Sequence, residues 1–344
     1  MSTLLQAAAR FTTPFLPDDY LSLVNPLWST RALRGRIEAV IPETADAATI
    51  VVRPARGWAG HLAGQYVRVG LDLDGVRHWR TYSLTSPAQR TDGRFTITVK
   101  AIPGGLVSNH LVREAKTGDV LHLEAAQGDF VQPTKLPAKV LFLTAGSGVT
   151  PVMGMLRTHR LTDVVHVHGA PTHNAVVFGA ELRARRNPAY VLHERHDDDH
   201  GMFTLDQLED VCPDWRDREV WVCGPGPLMD AAEVHWAEAG LADRLHLERF
   251  RPRLLAEPGQ GGTVTFARST TTVDTDGSTA LLDAGEGAGV LIPSGCRMGI
   301  CHGCVIQLLT GRVRDLRTGV VHGEEGDLIQ TCISAAAGPV ELDL

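Results

Sequence analysis

Three of the chain's six cysteines fall within nine residues, CRMGICHGC at positions 296–304. Cys296, Cys301 and Cys304 are spaced C-x4-C-x2-C, and Cys332 follows after 27 further residues. Such crowding constrains the fold, because three side chains must converge from one loop. The loop therefore needs sharp turns and backbone N–H groups that can face the sulfurs. Gly295, Gly299 and Gly303 supply both. Buried thiols or a zinc site are the plainer readings. Zinc favours two C-x2-C knuckles, and only one such pair is present. The preferred reading is the spacing by which four thiolates hold the two irons of a [2Fe–2S] cluster.

The rest of the chain narrows the class. Its 344 residues suggest two or three domains. A net charge of −7 gives no general attraction to nucleic acid. No apolar run reaches the 18 residues of a membrane span. The N-terminus lacks the charged-then-apolar pattern of a signal peptide, and the cysteines do not form a secreted disulfide framework, so a cytoplasmic location is expected. Residues 261–344 hold ten acidic residues against five arginines, a face suited to a basic partner.

Upstream, short alternating segments separated by glycines, among them Gln65 onward, GRFTITVK and TGDVLHL, read as a small antiparallel barrel. Within it stand Arg80-Thr81-Tyr82-Ser83 and GGLVSNHL at 104–111. Beyond it, Val140–Leu143 read as a buried parallel strand, with a Gly-rich turn over Thr144–Thr150 and Pro151 at the first helical position. Strand, glycine turn and helix make an anion-binding geometry. DVVHVHG, AYVLHER and EVWVCGPGPLM then alternate with helical stretches, as a doubly wound sheet requires.

These motifs resemble the ferredoxin–NADP reductase superfamily. R-x-Y-S and GGLVSNHL resemble its two flavin motifs, GSGVTP its G-x-G-x-T-P turn, and CGPGPLM its nicotinamide motif. LIPSGCRMGICHGC and GDLIQTCISAAAGPVELDL resemble the plant-type ferredoxin domain. The resemblance implies a multidomain chain: an antiparallel β-barrel flavin domain (32–135), an α/β doubly wound NAD(P) domain (136–250), a linker (251–262) and an α+β β-grasp ferredoxin domain (263–344). Residues 1–31 form an arm outside this core, with MSTLLQAAARF as a short helix. The arm reads first as a brace on the flavin domain and second as a docking element for a membrane-bound partner. The last cysteine comes early for the family, which implies a shorter loop after Arg312.

The resemblance also implies roles. Tyr82 would lie against the isoalloxazine and Ser83 near its N5. Arg80 would face the phosphates, with Thr81 beside it, and the backbone of Gly105, Val107 and Ser108 would supply amides. FAD is expected rather than FMN. Gly146, Gly148 and Thr150 would receive the nucleotide. Cys223, Gly224 and Pro225 would border the nicotinamide, with Glu248 as a proton-holding partner and Phe250 as the aromatic at the flavin edge. Cys212 carries no motif and reads as core or surface. No arginine follows the second nucleotide strand, where Pro171 stands, so NADH or dual use with NADPH is expected, with His168, His173 or Arg195 as substitutes for a 2′-phosphate ligand. His196 and His200 in HDDDH read as a solvated loop rather than a metal site.

Nicotinamide gives up two electrons together and a [2Fe–2S] cluster takes one at a time, so a flavin must stand between them. The expected activity is NAD(P)H-dependent electron transfer through flavin and cluster to a separate terminal oxygenase or acyl-CoA desaturase, a membrane-bound one included. A stand-alone oxidase or diaphorase, and a redox sensor, remain as alternatives.

Overall fold

The computed structural model describes residues 17–29, 31–73, 75–253 and 259–344. The expected helix in MSTLLQAAARF lies outside them. A short helix, α1, covers Pro17–Val24. Contacts divide the chain into two compact units, one of Met1–Leu71 with Thr81–Glu248 and one of Asp72–Arg80 with Arg249–Leu344.

Strands β1 (Arg34–Thr44), β2 (Ala47–Pro54), β3 (Tyr66–Leu73), β4 (Val76–Ser83), β5 (Phe95–Lys100) and β6 (Val120–Leu123) form one antiparallel sheet in the order β4-β3-β6-β1-β2-β5, which belongs to the first unit except for Asp72–Arg80. A bridge between Leu84 and Ile97 joins the two edges, which closes the sheet on itself. Ile37, Ile50, Val52, Val67, Val69, Phe95 and Ile97 are fully enclosed, as alternation in a small barrel requires. Helix α2 (Leu106–Arg113) follows β5.

The same unit holds a five-stranded parallel sheet of β7 (Val140–Ala145), β8 (Val164–Ala170), β9 (Tyr190–His196), β10 (Glu219–Cys223) and β11 (Leu245–Leu247), ordered β11-β10-β7-β8-β9. The chain runs outward from β7 to β9, then returns to the other side of β7 with β10. That reversal makes the crevice at the ends of β7 and β10 the place where such sheets receive a ligand. Helix α3 (Val149–Thr158) follows β7, α4 (Gly179–Ala184) follows β8, and α5 (Gly226–Glu238) follows β10. Strand β7 runs two residues past the expected Leu143, so Thr144 is strand rather than turn. Helix α3 starts at Val149, which puts Pro151 at its third position rather than its first. The ring is tolerated there too, because the first amides of a helix have no intrahelical acceptor. HDDDH is one exposed helical turn, Asp197–His200, rather than a loop.

Sheet and barrel meet through α3. A Cβ on Gly154 would lie 2.5 Å from the Leu84 carbonyl oxygen, so only glycine lets the helix approach. Arg157 Nη1 donates to the Thr85 carbonyl at 2.8 Å, and the Ala88 N–H donates to Thr158 Oγ1 at 3.0 Å.

In the second unit, β12 (Gly262–Phe266), β13 (Thr271–Thr275), β14 (Val305–Asp315), β15 (Val321–His322), β16 (Leu328–Gln330) and β17 (Ser334–Leu342) form a mixed sheet ordered β13-β12-β17-β14-β15, with β16 paired to β14. Helix α6 (Leu281–Gly287) packs Leu281 and Leu282 into its core with Phe266, Leu308 and Val340. Strand β14 continues through Arg312 to Asp315, so no loop begins at Arg312.

Candidate functional site

The cysteine loop links α6 to β14. Its backbone enters the left-handed region at two non-glycine residues, Arg297 (φ 58°) and His302 (φ 54°). Such strain persists only where the surroundings enforce it. Arg297 is braced by Asp283 at 3.0 Å and Glu286 at 2.6 Å. The resulting turns aim amides at sulfur: Cys296 N–H and Gly303 N–H donate to Cys301 Sγ at 3.1 and 3.4 Å, and Met298 N–H donates to Cys296 Sγ at 3.3 Å. Burial opposes the Cys296 thiolate, yet the amides of Ile300 and Met298 outweigh it and hold the thiol below its usual range. Cys332 comes from the turn after β16, where Thr331 N–H and Oγ1 both donate to the Cys304 carbonyl. The four thiols fall into two contacting pairs, Cys296 with Cys301 and Cys304 with Cys332. Two tetrahedral irons sharing sulfide need two thiolates each, so the donor set fits a [2Fe–2S] cluster.

In the barrel, β4 ends with the tetrad. Alternation puts Arg80 and Tyr82 on one face and Thr81 and Ser83 on the other. Ser83 Oγ and Thr81 Oγ1 are sealed from solvent without a hydrogen-bond partner. A buried hydroxyl left unpaired is costly, so both atoms call for a bound polar group. Thr81 is therefore more than a spacer in the motif. Arg80 Nη1 donates to the Trp79 carbonyl at 2.8 Å. Gly105 caps α2 with no side-chain bond of its own, leaving the first amides of the helix available. Ser108 Oγ serves the turn instead: it accepts from Ile102 N–H and donates to the Gly105 carbonyl. Val107 is fully buried.

At the crevice, Gly146 turns with φ 55°, and Gly148 sits against β10. A Cβ on Gly148 would lie 2.0 Å from the Cys223 carbonyl oxygen. Thr150 Oγ1 donates to the Ser147 carbonyl at 2.8 Å and steadies the turn. Gly224 lies beside Ala145, and Pro225 caps α5. Burial, then the nearby Glu248 carboxylate, pushes the Cys223 thiol well above its usual range. The group is a neutral thiol, not a nucleophile. Glu248 keeps a partly exposed stem, but its Oε2 is sealed and unpartnered, and burial raises the carboxyl to about 8. At neutral pH this carboxyl holds a proton it can offer to a ligand. Phe250 lies in the second unit and is 41% exposed. Cys212 is core, its thiol raised by burial to about 12.

His168 is not a surface cation. It is fully buried beside His166, and Thr144 Oγ1 lies 2.7 Å from both His166 Nε2 and His168 Nδ1. His166 Nδ1 is 2.7 Å from the Tyr190 hydroxyl, which completes a chain of four buried groups across β7, β8 and β9. His173 is exposed at the end of β8, where Arg183 Nη2 approaches its Nδ1 to 3.2 Å. Arg195, on β9, donates from Nη2 to Gln207, while its Nε is buried without a partner. His173, Glu194 and His196 come together. Arg183 occupies both Glu194 oxygens, which makes the group an ion-pair cluster rather than a cation site.

The histidine chain has a pH signature. Burial lowers His166 well below the usual histidine range; burial, against the pull of Glu194, lowers His168 to about 4. Unfolding releases both to take up protons below about pH 6.5. Folding stability is therefore lost as pH falls from about 6.5 toward 4. At pH 5, His168 alone should cost the nucleotide sheet about 2 kcal/mol relative to pH 7. Urea unfolding followed by tryptophan fluorescence checks this, since Trp215, Trp221 and Trp236 all lie in this part of the chain. His168→Gln should be less stable throughout and lose much of the pH dependence; an unchanged dependence would remove His168 from the account.

Comparison with known proteins gives the following. Residues 46–131 match the oxidoreductase FAD-binding domain, and residues 264–337 the 2Fe-2S iron-sulfur cluster binding domain. An NADPH oxidoreductase of Mycobacterium tuberculosis is 53% identical over 99% of this chain and 92% of its own length. A glycine betaine monooxygenase reductase subunit of Pseudomonas aeruginosa is 32% identical over 81% of this chain and 86% of its own. The structure of phthalate dioxygenase reductase superposes with a TM-score of 0.64 at 23% identity, covering 92% of this chain and 99% of that one.

Proposed function

The chain belongs to the ferredoxin–NADP reductase superfamily, among members that end in a [2Fe–2S] domain, and from that premise we propose that it carries electrons from NAD(P)H through FAD and the cluster to a separate oxygenase or acyl-CoA desaturase. One observation carries the reading: a nucleotide crevice, a flavin strand and four paired cysteines stand on a single polypeptide. When bound, FAD takes a hydride from the nicotinamide and releases its electrons singly to the cluster.

The chain's own residues bind and orient. Arg80 and the opening amides of α2 receive the flavin phosphates, and Tyr82 offers its ring to the isoalloxazine. Ser83 Oγ, otherwise unpaired, hydrogen-bonds the reacting edge of the ring, and Thr81 Oγ1 supports it from the same face. The Gly146–Gly148 turn and the start of α3 receive the pyrophosphate. The neutral Cys223 thiol and the flat Gly224–Pro225 backbone border the nicotinamide. Glu248 holds a proton at its enclosed carboxyl and fixes the ring's tilt through a hydrogen bond. With His168 enclosed, His173 and Arg195 are left as candidates for a 2′-phosphate, and the unpaired Nε of Arg195 supports NADPH as a substrate beside NADH.

A comparison of acceptors tests the reading against a stand-alone oxidase. NAD(P)H turnover with cytochrome c should exceed turnover with oxygen alone by at least about tenfold, as single-electron delivery through the cluster requires. Equal rates with the two acceptors would favour the oxidase.

A further inference from the structure

Strand β4 passes from one compact unit to the other between Arg80 and Thr81. Thr81 to Ser83 group with the barrel and the nucleotide sheet. Asp72–Arg80 group with Arg249–Leu344, the part of the chain that carries the four paired cysteines.

Within that second unit, Arg80 meets a residue 214 positions away in sequence. Its Nη1, bonded to the Trp79 carbonyl at 2.8 Å, also donates to Ser294 Oγ at 3.4 Å. Ser294 is only 4% exposed, and Arg80 is the partner that satisfies its hydroxyl. A hydroxyl so enclosed is costly to leave unpaired, so the contact is a requirement of the fold and not a chance approach.

The cysteine loop in turn sets the place of Ser294, which stands two positions before Cys296. The Cys296 N–H donates to Cys301 Sγ at 3.1 Å. A Cβ on Gly303 would lie 3.2 Å from Gly295 Cα and 3.4 Å from Cys301 Sγ. The chain ahead of the first cysteine is thus laid against the turn between Cys301 and Cys304. Any order imposed on the four sulfurs reaches Ser294 through backbone alone.

A guanidinium grips a phosphate through a flat fork of N–H groups, so the grip depends on the plane in which the fork is held. We propose that Ser294 is a positioning residue that couples the two cofactor sites: it fixes Nη1 of Arg80, so a cluster that orders the cysteine loop tightens the hold on the flavin phosphate. The inference rests on the reading that Arg80 receives that phosphate and the four cysteines the irons. Coupling between two bound groups is reciprocal, so FAD steadies the cysteine loop to the same extent. A chain without its cluster then holds its flavin less tightly, which limits NAD(P)H oxidation where single electrons have no outlet. With FAD in excess the flavin site still fills.

Titration of FAD into the full-length protein stripped of flavin, followed by flavin fluorescence, tests this. With the cluster in place, as checked by its visible absorbance, Ser294→Ala should raise the FAD dissociation constant about fivefold. Riboflavin has no phosphate and should bind the parent and Ser294→Ala alike. Removing the cluster by chelation should weaken FAD binding to the parent about fivefold, but to Ser294→Ala by less than about twofold, because the link is already cut. An unchanged FAD constant in Ser294→Ala, or in the parent after its cluster is removed, would overturn the proposal. So would a cluster effect of equal size in both proteins, or riboflavin weakened as much as FAD, which would mean general damage to the flavin site. A parent that binds no FAD or assembles no cluster would remove the reductase reading itself, and the coupling with it.

Discussion

Cys301→Ser should abolish fast cytochrome c reduction while leaving NAD(P)H–ferricyanide turnover within about twofold of the parent. Cys301 is the sulfur on which two backbone amides converge, from Cys296 and Gly303, and it contacts Cys296. Serine is smaller and far less acidic, so it cannot replace a thiolate whose charge those amides were placed to receive. The nucleotide crevice and Thr81–Ser83 belong to the other compact unit, so hydride transfer should survive. A fall of at least about 100-fold in cytochrome c rate corresponds to roughly 2.7 kcal/mol in barrier, more than a modest shift in cluster potential would give. Loss of the cluster's visible absorbance should accompany it. A variant that lacks this absorbance yet reduces cytochrome c normally would show that electrons leave by another route.

The parts of this machinery that were legible in the sequence are those encoded by spacing. Four cysteines at fixed intervals, the Arg80–Ser83 tetrad and the Gly146–Gly148 turn each place several groups from one short segment, so local order suffices to reveal them. Thr81 was named with the tetrad, but only burial shows that its hydroxyl, like that of Ser83, is left unpaired.

The histidine chain was not legible. Thr144, His166, His168 and Tyr190 span 47 positions of sequence and meet only through the register of three parallel strands, Thr144 opposite His168 and His166 opposite Leu192. DVVHVHG alternates, and alternation normally marks a wet face. Here every residue of β8 is buried, because helices cover both sides of a parallel sheet. The polar face is turned inward, and its histidines bond to neighbours at every ring nitrogen but His168 Nε2, which is buried without a partner. Thr144 was assigned to the turn for a related reason. The glycine signal marks where the chain can bend, but not how far pairing with β10 extends the strand, and Thr144 pairs with Cys223. Pro151 was placed two positions early because a helix tolerates the ring at any of its first few residues.

The close approach of Gly148 to β10 leads to the second large effect. Gly148→Ala should lower kcat/KM for NAD(P)H by at least about 100-fold while leaving flavin bound. The residue has ordinary helical angles, so alanine is not strained by its backbone. The obstacle is space: the new methyl would sit 2.0 Å from the Cys223 carbonyl oxygen, 2.5 Å from its carbon and 2.9 Å from Gly224 N. All three are backbone atoms of β10, which is paired to β7 and β11, or of the residue that follows it, so no side chain can swing aside. The turn must lift or β10 must shift, by about an ångström or more to reach ordinary contact. Either movement separates the pyrophosphate turn from the Cys223–Pro225 backbone, and reactions that depend on positioning lose about 100-fold to misplacements of this size. The barrel contacts of α3 through Gly154 and Arg157 lie further along the helix and should keep the flavin side in place. Dithionite then distinguishes a lost crevice from a lost protein. Flavin reduced chemically in the variant should still pass electrons to cytochrome c at the parental rate. Normal NAD(P)H kinetics in Gly148→Ala would mean the crevice at β7 and β10 is not where the nicotinamide binds.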